Sequence, residues 1–284
     1  MINIGEFNKL KVVRKSSIGY YLSDLASNGK DEILLKNNND LNIKLDIDDE
    51  IDAFIYKDSE GRLTATLKVP LAKVADIAYL KVVSNTDIGA FIDIGLERDV
   101  LIPKREMAYI LEEDKKYLFY LYVDKTGRLA ATTYIDKYLV NSEEIKVGDE
   151  VTGVAYGIQT NGSVMVAISN TYRGVILKNE YYTSIKPGDE LNLRVKKHFE
   201  DGKAALTPRG VPVDERLMLQ EKILEHLKSH GGSMPYNDSS SPDAIKEIFH
   251  TSKKYFKNAV GGLMKQGLVT QDEYGTRMSQ IEII

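Results

Sequence analysis

A thirteen-residue phrase occurs twice in this chain and a looser copy of it a third time. Phe54-Ile-Tyr-Lys-Asp-Ser-Glu-Gly-Arg-Leu-Thr-Ala-Thr66 and Tyr120-Leu-Tyr-Val-Asp-Lys-Thr-Gly-Arg-Leu-Ala-Ala-Thr132 agree at seven positions. Val195-Lys-Lys-His-Phe-Glu-Asp-Gly-Lys-Ala-Ala-Leu-Thr207 keeps the glycine and a basic residue after it, but not the aspartate. β-Branched and aromatic residues on either side of a Gly-containing turn read as strand, turn, strand. The turn glycines Gly61, Gly127 and Gly202 stand 66 and 75 residues apart. That spacing predicts tandem copies of one small β module rather than a single large sheet.

Each copy has the same order of signals before its phrase: a β run, a bend with glycine, a second β run and an acidic turn. In the second copy Leu80-Lys-Val-Val-Ser leads to Thr86-Asp-Ile-Gly-Ala-Phe-Ile-Asp-Ile, and Val100-Leu-Ile-Pro follows. Five short strands in about 70 residues suit a small closed barrel. Three such barrels are expected, over 1–69, 70–140 and 141–210.

The texture changes after Thr207-Pro-Arg-Gly-Val-Pro212, which reads as a linker. From Asp214 the period becomes helical: Leu219, Ile223 and Leu227 share a face, and His230-Gly-Gly232 should end the helix. Ser241 is placed to cap a second helix with Pro242 at its first position, and Ser252 to cap a third. The third carries Phe256, Ala259, Val260 and Leu263 on one stripe. Leu268-Val-Thr, Asp272-Glu-Tyr-Gly275 and Thr276-Arg-Met then form a hairpin. Three short helices and a hairpin over 211–284 are the order of a winged helix. The expected fold is therefore mainly β, three tandem five-stranded barrels with a C-terminal α+β winged-helix domain.

The 284 residues contain no Cys, so neither disulfides nor thiolate metal sites hold these modules together. The N-terminus lacks the pattern of a signal peptide, and no run approaches about 18 apolar residues. Cytoplasmic placement and no membrane partner are expected. A net charge of −4 argues against tight, purely electrostatic nucleic-acid binding. Seventeen Tyr and seven Phe leave room for a single-strand binder that works by stacking.

Gly89-Ala-Phe-Ile-Asp-Ile-Gly, then Val100-Leu-Ile and Asp124-Lys-Thr-Gly-Arg-Leu, resembles the ribosomal S1-type RNA-binding repeat, a version of the OB-fold. Ser240-Ser-Pro-Asp-Ala-Ile-Lys246 and Ser252-Lys-Lys-Tyr-Phe-Lys-Asn-Ala-Val-Gly-Gly-Leu263 resemble helices of the bacterial conserved virulence factor B family. The resemblance covers nearly the whole chain. It implies three tandem five-stranded OB-fold modules of the S1 type joined to a winged helix, with a post-transcriptional or other regulatory role.

In S1-type repeats the RNA face carries two aromatics, a His on the next strand, and an Asp and an Arg four apart at the last hairpin. Carried over by position, the second module keeps Phe91, Asp124 and Arg128, with Ile88 at the first aromatic place and Pro103 at the His place. The first has Ile18 and Tyr21 at the aromatic places, with Asp58 and Arg62 at the hairpin; Tyr20 is the alternative outward ring. The third, with Asn161, Val164, Leu177 and Phe199 at these places, retains only Lys203 and is degenerate. The candidate RNA contacts are thus Tyr21, Arg62, Phe91, Asp124, Arg128 and Lys203. A ring on the outside of a barrel offers a flat face to any base, whereas the same ring turned inward only fills the core. The Asp and Arg pairs can equally form local ion pairs.

Residues 251–267 hold Lys253, Lys254, Lys257 and Lys265 and no acidic residue. Lys253, Lys254 and Lys257 are the candidate winged-helix contacts to nucleic acid or a partner. No Arg near the helix start offers a reader of base edges, so sequence-specific DNA recognition is disfavoured. Of the four His only His226 and His230 share a chelating spacing, without an accompanying carboxylate pattern, and a role at the helix C-terminus is preferred. Gly261-Gly262 lacks the ending of a phosphate loop. The expectation is non-catalytic binding of single-stranded RNA, with no cofactor and no metal. The rivals are a DNA-binding transcription regulator acting through the winged helix, and an adaptor whose barrels hold a protein.

Overall fold

A computed structural model describes residues 2–24, 32–37, 44–142, 144–208 and 212–279. The middle of the expected linker, 209–211, lies outside them. Barrel one is built from β1 (Phe7–Ser16), β2 (Gly19–Asp24), β3 (Ile33–Lys36), β4 (Glu50–Lys57) and β5 (Leu63–Thr66). The strands close in the order β1-β2-β3-β5-β4. Every neighbouring pair is antiparallel except β3 and β5, which run parallel.

Barrel two repeats this plan with β6 (Ile77–Asn85), β7 (Gly89–Ile92), β8 (Val100–Pro103), β9 (Lys116–Val123) and β10 (Leu129–Thr132). Barrel three repeats it with β11 (Glu150–Ile158), β12 (Val164–Ile168), β13 (Tyr172–Ile176), β14 (Glu190–His198) and β15 (Ala204–Thr207). Closure leaves no unpaired sheet edge, which lets so small a β unit stand without aggregating. Inward residues of each barrel make its own core: Leu10, Leu22 and Ile55; Val82, Ile92 and Phe119; Val166, Ile176 and Leu206.

The repeated phrase forms the same hairpin three times. Asp58, Asp124 and Phe199 each donate their amide to the carbonyl four residues on, of Arg62, Arg128 and Lys203, at 2.8–2.9 Å. The turn needs a left-handed residue one place before that carbonyl, and Gly61, Gly127 and Gly202 supply it at φ +81°, +76° and +78°. The sequence repeat is thus a repeat of turn geometry.

Barrels two and three share one further apolar cluster, in which Leu118, Ile135 and Leu139 meet Val154, Tyr156 and Ala167. Burying such side chains contributes roughly 1.5–3 kcal/mol each, so this seam is a core and not a passing contact. The Tyr79 hydroxyl adds a bond across it to the Gly188 carbonyl at 2.7 Å. Barrels one and two touch through Gly5, against which Val74 and Leu129 pack so closely that a Cβ there would clash.

The C-terminal domain comprises α1 (Pro212–Ser229), β16 (Ser233–Met234), α2 (Pro242–Phe249), α3 (Lys253–Lys265), β17 (Val269–Asp272) and β18 (Gly275–Met278). Ser241 and Ser252 cap α2 and α3 by accepting from the amides of Ala244 and Tyr255. Leu219, Ile223 and Leu227 of α1 bury against the Phe256, Ala259, Val260 and Leu263 stripe. The hairpin expected from sequence is joined by β16, giving a three-stranded sheet in the order β16-β18-β17. A two-residue strand is too short to carry a period of its own.

Candidate nucleic-acid interface

A β-bulge decides which side chains share the outer face of each barrel. The pairing of β1 with β2 shifts between Val12 and Arg14, that of β6 with β7 between Val82 and Ser84, and that of β11 with β12 between Ala155 and Gly157. Past the bulge the partners are Arg14 with Tyr21, Ser84 with Phe91, and Gly157 with Met165. Tyr21, Phe91 and Met165 are therefore equivalent. Tyr21 and Phe91 are half-exposed on the outer surface, whereas Tyr20 packs toward the barrel core.

This corrects the position expected in module three. The sequence alignment puts Val164 at the place of Tyr21 and Phe91, but its side chain is fully buried in the core and Met165 takes the outward place. The reason is a loop length. Two residues separate Ser16 from its partner Gly19, while three separate Gln159 from Ser163, whose carbonyl accepts the Gln159 amide. A count along the chain therefore slips by one, and in a strand one residue exchanges the two faces.

The row continues across each sheet. Tyr21 pairs with Leu34, Leu34 with Thr64, and Thr64 with Tyr56; in barrel two the row is Phe91, Leu101, Ala130 and Tyr122; in barrel three it is Met165, Val175, Ala205 and Lys197. The glycine of the Gly-Ala-Phe phrase serves the same face: at Gly89, φ +153°, a Cβ would lie 2.0 Å from the Ile102 carbonyl oxygen. The close approach of β7 to β8 keeps Phe91 next to Leu101.

In barrel one the row opens into a groove of about 740 Å³ lined by Ile18, Tyr21, Leu34, Lys36, Asp58 and Arg62, among others. The Arg14 guanidinium lies 3.6 Å from the centroid of the Tyr21 ring and is held there by Glu32 at 2.6 Å. Lys36, not singled out from sequence, occupies the β3 place where barrels two and three have Pro103 and Leu177. It has no ion pair among the described residues.

The hairpin charges have separate fates. Arg62 donates from Nε and a terminal nitrogen to Asp58 at 3.0 and 2.8 Å, while Asp58 also accepts the amides of Glu60 and Arg62. Burial opposes ionisation of Asp58, but the Arg62 side chain and these amides outweigh it and hold the carboxyl below its usual range. Asp124 is lowered in the same way: burial is overcome by the Thr126 hydroxyl and the amides of Arg128 and Thr126. Arg128 itself reaches the Ser59 carbonyl of barrel one. Lys203 pairs with Asp201 at 2.8 Å and Lys196 with Glu180 at 2.7 Å.

On the winged helix, Lys254 is exposed with no ion pair among the described residues, Lys253 is half-buried, and Lys257 pairs with Asp238 at 2.9 Å. The acidic partner comes from the loop before α2, so a window along α3 did not contain it. The wing tip carries Tyr274, 72% exposed. His226 and His230 stack at 4.1 Å at the end of α1, where the His230 ring bonds the His226 carbonyl. Burial first, then His230, lowers the His226 value, so that imidazole stays neutral at physiological pH. Among the described residues no helix is long and apolar enough to cross a membrane.

Comparison with known proteins fits this architecture. Residues 4–68 and 76–134 match the S1 domain, and residues 221–278 match the CvfB-like winged helix domain. Conserved virulence factor B of Staphylococcus epidermidis is 30% identical over 258 residues, covering 83% of this chain and 86% of that protein. The chain belongs to the conserved virulence factor B family. YitL of Bacillus subtilis is 32% identical over 278 residues, 94% of this chain and 91% of that protein. A multidomain protein with nucleic acid binding domains from Streptococcus pneumoniae shares the fold at a TM-score of 0.53 and 23% identity, covering 97% of this chain and 98% of that one. This member of the conserved virulence factor B family thus combines S1 domains with a winged helix, in the three barrels and C-terminal domain described above.

Proposed function

We propose that this conserved virulence factor B relative is a non-catalytic single-stranded RNA-binding protein that acts in the bacterial cytoplasm as a post-transcriptional regulator. The observation that supports the reading best is the equivalence of Tyr21 and Phe91, two half-exposed rings on the same outer row of successive barrels. Bases in a duplex hide their faces, whereas an unpaired base stacks on such a ring for roughly 1–3 kcal/mol. A net charge of −4 fits a binder in which stacking matters more than phosphate neutralisation.

Arg62 and Arg128 would exchange the Asp58 carboxylate and the Ser59 carbonyl for phosphate, with Asp124 shaping its turn and Lys203 a lesser contact on barrel three. Lys253 and Lys254, with Lys257 once freed from Asp238, would let the winged helix add a contact to nucleic acid or a protein. Competition binding tests the reading. Unstructured RNA should displace a bound RNA probe far better than duplex DNA of equal length. Equal or better displacement by the duplex would favour a DNA regulator, and a cellular partner that stays bound after ribonuclease, with no RNA crosslinked above background, would favour an adaptor.

A further inference from the structure

Barrel two has a part-exposed aromatic strip; the equivalent aromatics of barrel one are buried and barrel three has none there. Along β9 the side chains of Tyr117, Phe119 and Leu121 point into the core, so Leu118, Tyr120 and Tyr122 point out. Tyr122 lies on the row that contains Phe91. Tyr120, two residues back along the strand and so about 7 Å away, is stacked on Tyr138 with centroids 3.3 Å apart and planes within 5°. Leu118, one step further, is already under barrel three. The strip therefore runs from the outer face of barrel two to the seam with its neighbour.

At the seam Tyr138 lines an open groove of about 710 Å³, between Ile77–Tyr79 of β6 and the Ser169–Thr171 turn of barrel three. The Nζ of Lys137 lies 4.8 Å from the Tyr138 centroid, and Lys116 lines the same groove. Neither lysine has an ion pair among the described residues. The groove holds one carboxylate, Asp76, which is engaged by the Lys73 amide at 2.9 Å. The shared apolar cluster fixes the two walls relative to each other, so the groove needs no closure to form. In barrel one the residues equivalent to Tyr120 and Tyr122 are Phe54 and Tyr56, buried to 0% and 7% exposure. In barrel three they are Arg194 and Lys197.

We infer that Tyr122, Tyr120 and Tyr138 extend the binding face of barrel two onto the seam with barrel three, so that a single strand of RNA leaving Phe91 continues into the groove with its phosphates near Lys137 and Lys116. A parallel pair of rings ending in a groove is a stack that one more base can lengthen, and the ammonium groups of Lys137 and Lys116, which rest over the Tyr138 and Tyr79 rings, can turn from them to its phosphates. The inference rests on the RNA-binding reading. It adds a second subsite to that face and makes affinity depend on strand length.

The test uses the full chain and fluorescence anisotropy with unstructured RNA of about 4 and about 12 nucleotides, the span of one OB face and more. Tyr138→Leu keeps apolar bulk but removes the flat ring. It should weaken binding of the long strand about tenfold and leave the short strand unchanged. Tyr21→Ala with Phe91→Ala should weaken both lengths. Lys137→Ala, on an exposed side chain, should flatten the dependence of log K on log salt by about 0.7 for the long strand. If Tyr138→Leu proves unfolded by circular dichroism, Lys137→Ala decides alone. Wild-type binding of the long strand by Tyr138→Leu, or an unchanged slope in Lys137→Ala, overturns the seam subsite while the reading of the barrels stands. Absence of RNA binding at both lengths by the unaltered chain overturns that reading itself.

Discussion

The Arg128 guanidinium donates to the Ser59 carbonyl at 3.0 Å, tying the hairpin tip of barrel two to that of barrel one. Lys57 returns the contact by donating to the Thr126 carbonyl at 2.7 Å. An arginine carried over from the RNA face of S1 repeats is thus also an inter-barrel tie. Arg128→Ala with Lys57→Ala should remove about 0.5–1.5 kcal/mol per bond and let barrel one swing about the Gly5 contact. Small-angle scattering should then show a larger radius of gyration with unchanged circular dichroism. An unchanged scattering curve would mean that packing of Val74 and Leu129 on Gly5 suffices to fix the pair.

Tyr21→Ala with Phe91→Ala should cost roughly 2–5 kcal/mol of RNA affinity, if each ring stacks one base. Because both rings lie outside the barrels, the melting temperature should fall far less than after loss of a core aromatic. Val164→Ala should behave in the opposite way. Its side chain is fully buried, so stability should drop by about 1–3 kcal/mol while RNA affinity is kept. A double mutant that binds RNA normally would remove the stacking argument.

Salt dependence follows from the charge pattern. Among the candidate contacts, Arg62, Lys203 and Lys257 are paired with carboxylates and Arg128 is bonded to the Ser59 carbonyl. About two to four phosphate contacts are expected, giving a slope of log K against log salt of about −1.5 to −3 for single strands. Titration at several salt concentrations measures it. A slope steeper than about −6 would require an extended basic track.

Asp58 makes one barrel pH-sensitive. Its carboxyl is depressed in the folded state, so its contribution is present above the unfolded value near 3.9 and is lost as pH falls through the lower folded value. Asp58→Asn should be less stable than the unaltered chain at pH 7. The loss should lie toward the lower end of about 1–3 kcal/mol, because Arg62 is 65% exposed and solvent screens the pair. The difference should shrink as pH is lowered below about 4. Denaturant unfolding of both proteins at several pH values checks this, and a pH-independent difference would assign the cost to turn geometry instead of charge.

What the sequence alone determined was local. Alternation of β-branched and aromatic residues marked the strands, and turns that need a left-handed residue put Gly61, Gly127 and Gly202 at matching places. Ser241 and Ser252 ahead of helical periods marked the caps of α2 and α3. Each of these is a relation between residues a few positions apart, which a linear reading can see. Tertiary structure decided the rest, because it depends on which distant strands exchange hydrogen bonds. A bulge and one extra loop residue put Met165 rather than Val164 beside Val175. Packing between barrels gave Arg128 its partner in Ser59 and brought Tyr138 onto Tyr120, and the loop before α2 brought Asp238 to Lys257. A side chain's chemistry is written in the sequence, but its partner is set by contacts that close over tens of residues.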